Sequence, residues 1–255
     1  MGYFIGELRS RNETLFWFGL ACFVLAFVFL ALTRYSTVQI AGVNAWFKPF
    51  KFAASIAIYS FTMAWYAFYL GPSFNIKAYN TVVVVLFGFE VVYIALQAYR
   101  GQLSHFNVST PLYSFLYSAM AIAASVVTLY TAYIGILFFQ SHFPALAPHY
   151  LWAIRISIVL FVVFSFEGFV MGSRMAHTIG GPDGGNGIPL LNWSTKFGDP
   201  RIAHFIGMHA LQVIPLASYY LLKNTKATLL LGLLYGLLAL AILLQALKGK
   251  PLVKL

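Results

Sequence analysis

The sequence predicts an all-α fold: a polytopic integral membrane protein with seven transmembrane helices in one bundle. Three observations predict it. Hydrophobic residues make up 61% of the 255 residues and charged residues only 9%, against roughly 25% charged in soluble domains. The mean hydropathy is +0.81. Seven apolar stretches of about 20 residues follow one another, the length a helix needs to cross about 30 Å of hydrocarbon. Pro and Gly interrupt several of them, and the ten-residue alternation of a transmembrane barrel is missing. The spans are expected to use the whole chain, 1–255, as a single domain.

The first span, 14–34, is almost wholly apolar and contains Cys22, the one cysteine, so no intrachain disulfide is possible. It is too long for a signal-peptide core and lacks a small-residue cleavage site, so it reads as a retained helix. The second, 46–70, opens Trp46-Phe47-Lys48-Pro49-Phe50-Lys51-Phe52 and sets Lys48, Lys51, Ser55, Tyr59 and Thr62 on one face. The third, 78–100, does the same with Glu90, Tyr93, Gln97 and Arg100, and His105 follows it. Thr110-Pro111 marks the start of the fourth, 111–138, as a capping residue before a proline at the first helical position.

The fifth span, 151–173, carries Glu167 and Met171 on a face that continues to Arg174 and His177. A glycine-rich loop, 174–198, separates it from the sixth, 200–222, whose start is marked by Asp199-Pro200. At 100° per residue, Arg201, His204, His209 and Gln212 fall within an arc of roughly 140° on that helix. The seventh, 227–247, is almost wholly apolar. Like the first it is expected to face lipid, with Gly232 and Gly236 allowing close packing.

An odd number of spans puts the termini on opposite sides. The side holding the N-terminus has six basic residues (Arg9, Arg11, Lys77, Arg155, Lys223, Lys226) and the other side has ten, so the positive-inside rule places the N-terminus outside and the C-terminus in the cytoplasm. The net charge of +10 sits at span ends, where it anchors helices and meets lipid phosphates rather than nucleic acid. The expected partners are the bilayer and a hydrophobic small molecule or lipid.

The polar residues of four spans lie toward the cytoplasmic side. Counted at 1.5 Å per residue, Glu90 is about 15 Å in from Arg100, His209 about 15 Å in from Asp199, and Glu167 about 10 Å in from Arg174. The expectation is a polar cavity lidded by loop 174–198. Ionisable residues inside membrane helices are costly, and they mark functional sites by default. The opposing view is that Glu90 and Glu167 simply pair with Lys51, Arg100 or Arg174.

Three chemistries use this residue set. Glu90, Glu167, His204 and His209 offer oxygen and imidazole ligands for zinc or iron. Haem would take His105, His204 or His209 as axial ligands. Metal-free catalysis would set Glu90 or Glu167 with His209 as an acid–base pair, with Lys51 as a further titrating group. Lys48, Gln97, Arg100, Arg174, Arg201 and Gln212 are the candidate substrate-binding residues. The glycine-rich loop lacks the lysine and the strand–helix setting of a nucleotide site.

Seven spans in a chain of this length match the size of microbial rhodopsins, but retinal attachment needs a lysine in the last span, and 227–247 has none. Ceramidase-type membrane hydrolases carry a late His-x-x-x-His pair, whereas His204 and His209 are five apart. The sequence therefore points to a membrane-embedded enzyme acting on a hydrophobic or lipid-like substrate, metal- or haem-assisted. A proton-coupled transporter and a non-catalytic binding or assembly subunit are the alternatives.

Overall fold

The computed structural model describes residues 2–184 and 187–254. Helices α1 (Gly2–Arg11) and α2 (Glu13–Tyr35) are followed by a two-stranded antiparallel hairpin, β1 (Gln39–Ile40) and β2 (Val43–Asn44). Then come α3 (Phe47–Ala67), α4 (Ile76–Tyr99), α5 (Pro111–Gln140), α6 (Pro148–Glu167), α7 (Phe169–Arg174), α8 (Arg201–Ala217) and α9 (Thr225–Leu247). Among the described residues, seven helical segments are long and apolar enough to cross a bilayer: α2, α3, α4, α5, α6 with α7, α8 with its final turn, and α9. This is the architecture of a multi-pass helical membrane protein. Two elements go beyond the sequence expectation: helix α1 and the hairpin.

The helix ends obey local chemistry. Asn12, Asn75 and Asn224 each accept an amide from the first turn of α2, α4 and α9, and Thr110 Oγ1 accepts from Tyr113 N of α5. Asp199 Oδ1 accepts from Arg201 N at 3.1 Å, the cap expected of Asp199-Pro200.

The chain resolves into two compact units, 1–127 and 128–255. In the first, α2 lies tightly against α3. A Cβ on Gly19 would sit 2.7 Å from Phe61, and Cys22, Ala26, Ala53 and Ala57 close the contact with small side chains around Ile56. Asn12 and Asn80 exchange amide hydrogen bonds at 2.9 Å, tying the start of α2 to α4.

In the second unit, α6, α8 and α9 share clusters built on Phe164, Ile202, Ala203, Ala239 and Ile242 and on Ala153, Ala210 and Ile214. Gly232 and Gly236 pack on Ile156 and Leu160 of α6, so the small-residue pair of α9 serves contacts within this chain. Tyr235 of α9 donates to the Ile206 carbonyl of α8 at 2.7 Å. The leucines at 229, 230, 233, 234, 237 and 238 are exposed, as a lipid-facing helix requires.

Candidate functional site

The second unit holds the most developed cluster, and it begins with a backbone irregularity. Helix α6 stops at Glu167 and α7 resumes at Phe169. At the junction the Gly168 amide bonds Ser165 O at 3.2 Å, a tightened turn in place of the ordinary bond to Phe164 O. The Phe164 carbonyl is thereby released and accepts from His204 Nδ1 of α8 at 2.6 Å. A carbonyl can only accept, so Nδ1 carries the proton and the lone pair of a neutral ring lies on Nε2.

Two glycines make this approach possible. A Cβ on Gly207, one turn beyond His204, would overlap the Phe164 ring, so the notch at Gly207 seats Phe164 and draws α8 onto α6. A Cβ on Gly168 would lie 3.1 Å from His204 Cε1, so the junction glycine also clears the imidazole's edge.

The Glu167 carboxylate stands beside the same ring, with Oε2 3.5 Å from His204 Nδ1. Its side chain is 4% exposed, and neither oxygen has a hydrogen-bond partner among the described residues. Ser165 Oγ on the same turn is likewise buried and unpartnered. Such orphaned buried polar atoms are uncommon enough in folded proteins to require a reason. The His204 side chain is 26% exposed, so the ring is reachable while the carboxylate is shielded.

His209 lies further along α8. Its Nδ1 donates to Gln212 Oε1 at 3.1 Å, and its ring packs on Phe205 at 4.3 Å between centroids. The structure therefore pairs Glu167 with His204, whereas the sequence reading pairs it with His209. Gln212 acts as an orienting partner of His209.

Arg201 is committed to structure. Its guanidinium bonds both oxygens of the buried Asp199 and, at 2.7 Å, the Asn192 carbonyl. Asp199 also receives Ser194 N at 2.8 Å, so the pair anchors the end of the glycine-rich loop. Arg174, at the end of α7, is exposed.

The loop itself is stitched together. Ile179 and Gly198 exchange backbone hydrogen bonds, and Gly198 and Gly180 lie against Ala246 and Gly249 at the end of α9. Asp183 accepts from the His177 and Thr178 amides, from Thr178 Oγ1 at 2.7 Å and from His177 Nδ1 at 2.8 Å. Burial opposes its ionisation, but these hydrogen bonds hold its carboxyl well below the usual carboxylate range. Gly185 and Asn186 of the glycine-rich tract lie outside the described residues.

In the first unit, Glu90 is 4% exposed and makes no hydrogen bond or ion pair with any described residue. The Gln97 amide nitrogen donates to Tyr93 Oη at 3.3 Å and to Leu103 O at 3.1 Å, clasping the segment after α4, while its Oε1 is buried without a partner. His105 sits in a ring cluster with Phe52, Phe106 and Tyr117, with Nδ1 3.3 Å from Ser104 Oγ. Lys48 and Lys51 occupy the first turns of α3, both half-buried, and Arg100 is exposed at the end of α4.

Among the described residues, no three of His, Cys, Asp and Glu converge closely enough to hold a metal ion. Sequence reading missed the Phe164 carbonyl, Gly168 and Gly207. The first is backbone and leaves no residue-type signal. A glycine directly after a membrane glutamate, and another three residues after a histidine, are the signals that could have exposed the other two.

Fold and site together define a multi-pass helical membrane protein with a buried carboxylate set against an oriented imidazole. No family model matches the chain, and no curated protein or solved structure shows a significant similarity to it.

Proposed function

We propose that this chain is a membrane-embedded enzyme acting on a hydrophobic or lipid-like substrate, with Glu167 and His204 as its acid–base pair. One observation carries the reading: His204 is held as the Nδ1–H tautomer by Phe164 O, with no hydrogen bond from a described residue on Nε2 and the buried Glu167 carboxylate 3.5 Å from Nδ1. A general base needs a directed lone pair and a nearby negative charge to stabilise the imidazolium that forms. In the proposed step, Nε2 takes a proton from water as the water oxygen bonds to a substrate acyl carbon. The imidazolium keeps Nδ1–H on Phe164 O beside Glu167, and the Nε2 proton then passes to the ester oxygen as the acyl–oxygen bond breaks and the alcohol leaves. His209 and Gln212 lie on the same helix, further along, where a substrate can be positioned. Zinc, iron or haem assistance would engage His204 or His209 through Nε2, the nitrogen each leaves without a hydrogen bond. The excess of basic residues on the loop 174–198 side supports a cytoplasmic position for that side and for the C-terminus.

The test is lipid turnover. Wild-type protein, Glu167→Gln and His204→Asn in nanodiscs are incubated with a total lipid extract and a panel of fluorogenic esters, followed by mass spectrometry and fluorescence. Consumption by wild type that slows by about 100-fold or more in both variants supports the reading. Folded wild-type protein that leaves every lipid and ester unchanged defeats it.

A second reading rests on Glu90, a carboxyl buried in a membrane helix without a hydrogen-bond or ion-pair partner among the described residues. Such a group suits a proton-coupled transporter. Glu90→Gln in proteoliposomes loaded with a pH-sensitive dye would then abolish proton movement that wild type supports.

A further inference from the structure

At the opposite end of α6, loop 141–146 and the first two turns of that helix line a half-open cavity of about 300 Å³, the lower end of the range for small-ligand sites. Arg155 lies about 12 residues, roughly 18 Å, along α6 from Glu167, so the cavity is separate from the acid–base pair. It also lies about 10 Å past the start of the helix, a depth at which an unneutralised charge is costly.

The guanidinium is fixed from two directions. Nε donates to the Phe138 carbonyl at 2.9 Å, one of the last carbonyls of α5 that the helix leaves unbonded. The Phe139 and Trp152 rings lie 5.3 and 5.1 Å from its central carbon. Capping α5 accounts for Nε but not for the two terminal nitrogens, which form no hydrogen bond or ion pair with a described residue.

Among the described residues, no carboxylate reaches this cavity. The chain's six acidic residues are Glu7, Glu13, Glu90, Glu167, Asp183 and Asp199, and none of them lines it or bonds Arg155. The polar lining includes Arg155 and His142, and the N-terminus of the 20-residue α6 adds the positive end of its dipole. Phe143, Leu146, Leu151 and Trp152 supply apolar walls.

We infer that this cavity binds a phosphate-type oxyanion carried on an apolar tail, gripped by the free fork of Arg155. A guanidinium fork matches phosphate geometry through two parallel hydrogen bonds, and the aromatic and leucine walls take the tail. The inference does not depend on the reaction proposed for Glu167 and His204. The same oxyanion can arrive on a bilayer phospholipid or on a soluble alkyl phosphate.

Native mass spectrometry of the full chain in detergent tests this with three probes: dioleoylphosphatidylglycerol, hexyl phosphate and, lacking the oxyanion, dioleoylglycerol. The expected result is binding of a phosphate-bearing probe that weakens at least tenfold in Arg155→Gln, and also in Leu151→Trp, which fills the cavity and keeps the charge. Arg34→Gln, an exposed control at the end of α2, leaves it unchanged. Preference for the phospholipid identifies the bilayer as the source, and preference for hexyl phosphate identifies a soluble ligand. Thermal unfolding of each variant is measured alongside, and Leu151→Trp decides the matter if Arg155→Gln does not fold. The inference is overturned if dioleoylglycerol binds as well as the phospholipid, or if a folded variant binds both phosphates like wild type.

Discussion

The Phe164 ring occupies the volume that a side chain at residue 207 would fill, and one turn away the carbonyl of the same Phe164 receives His204 Nδ1 at 2.6 Å. Helix contact and site geometry therefore depend on one glycine. Gly207→Ala must displace Phe164 or push α8 outward. Overpacking of this kind costs about 1–3 kcal/mol. Thermal unfolding in detergent should show that loss, and any activity that needs His204 should fall further than stability alone explains.

The tautomer of His204 is directly observable. In protein labelled with ¹⁵N-histidine, its neutral form should give the Nδ1–H pattern, and Gly168→Ala, which crowds Cε1, should disturb that resonance while leaving His142 and His149 untouched. A His204 resonance showing the Nε2–H tautomer would remove the basis for a base at Nε2.

Arg201 and Arg174 are both candidate substrate ligands by sequence, yet the structure gives them different duties. Removing one partner of a buried, hydrogen-bonded charge pair costs about 3–5 kcal/mol, whereas exposed positions change by about 0.5 kcal/mol or less. Arg201→Gln should lower the unfolding midpoint strongly and free loop 192–199 to protease. Arg174→Gln should do neither.

Asp183 makes the loop sensitive to acid in a defined direction. A carboxyl held low in the folded state contributes stability that is fully present above its unfolded value of about 3.9. That contribution is lost only as pH falls through the lower folded value. Hydrogen exchange at the His177 and Thr178 amides should therefore show constant protection between pH 7 and pH 5 in wild type, once corrected for intrinsic rates. Asp183→Asn should lose about tenfold of that protection throughout the range.

The fold class was legible because lipid imposes it. Long apolar runs have few solutions in hydrocarbon, and seven of them define seven spans. Helix α1 escaped notice because it is short and polar, and the hairpin because two-residue strands carry no periodicity. The site was half legible. Helical periodicity put Arg201, His204, His209 and Gln212 on one arc, but it gave each residue an angle and not a neighbour. The choice of His204 over His209 as the partner of Glu167 was made by the break at Gly168 and the notch at Gly207. Both are properties of how α6 and α8 touch. Asp183 shows the same limit: a lone loop carboxylate carries no sequence sign of its partners, and the fold sets it against the His177 and Thr178 amides.

The interrupted ladder at Gly168 has a mechanical consequence. The carbonyl that α6 gives up at that turn is braced by the imidazole of another helix, so His204 works as a strut. A ligand or product that draws the imidazole away would remove the brace from the α6–α7 joint and let the α7 end of that helix swing. Chemistry at one ring would then be felt as movement at the membrane surface, through a single hydrogen bond.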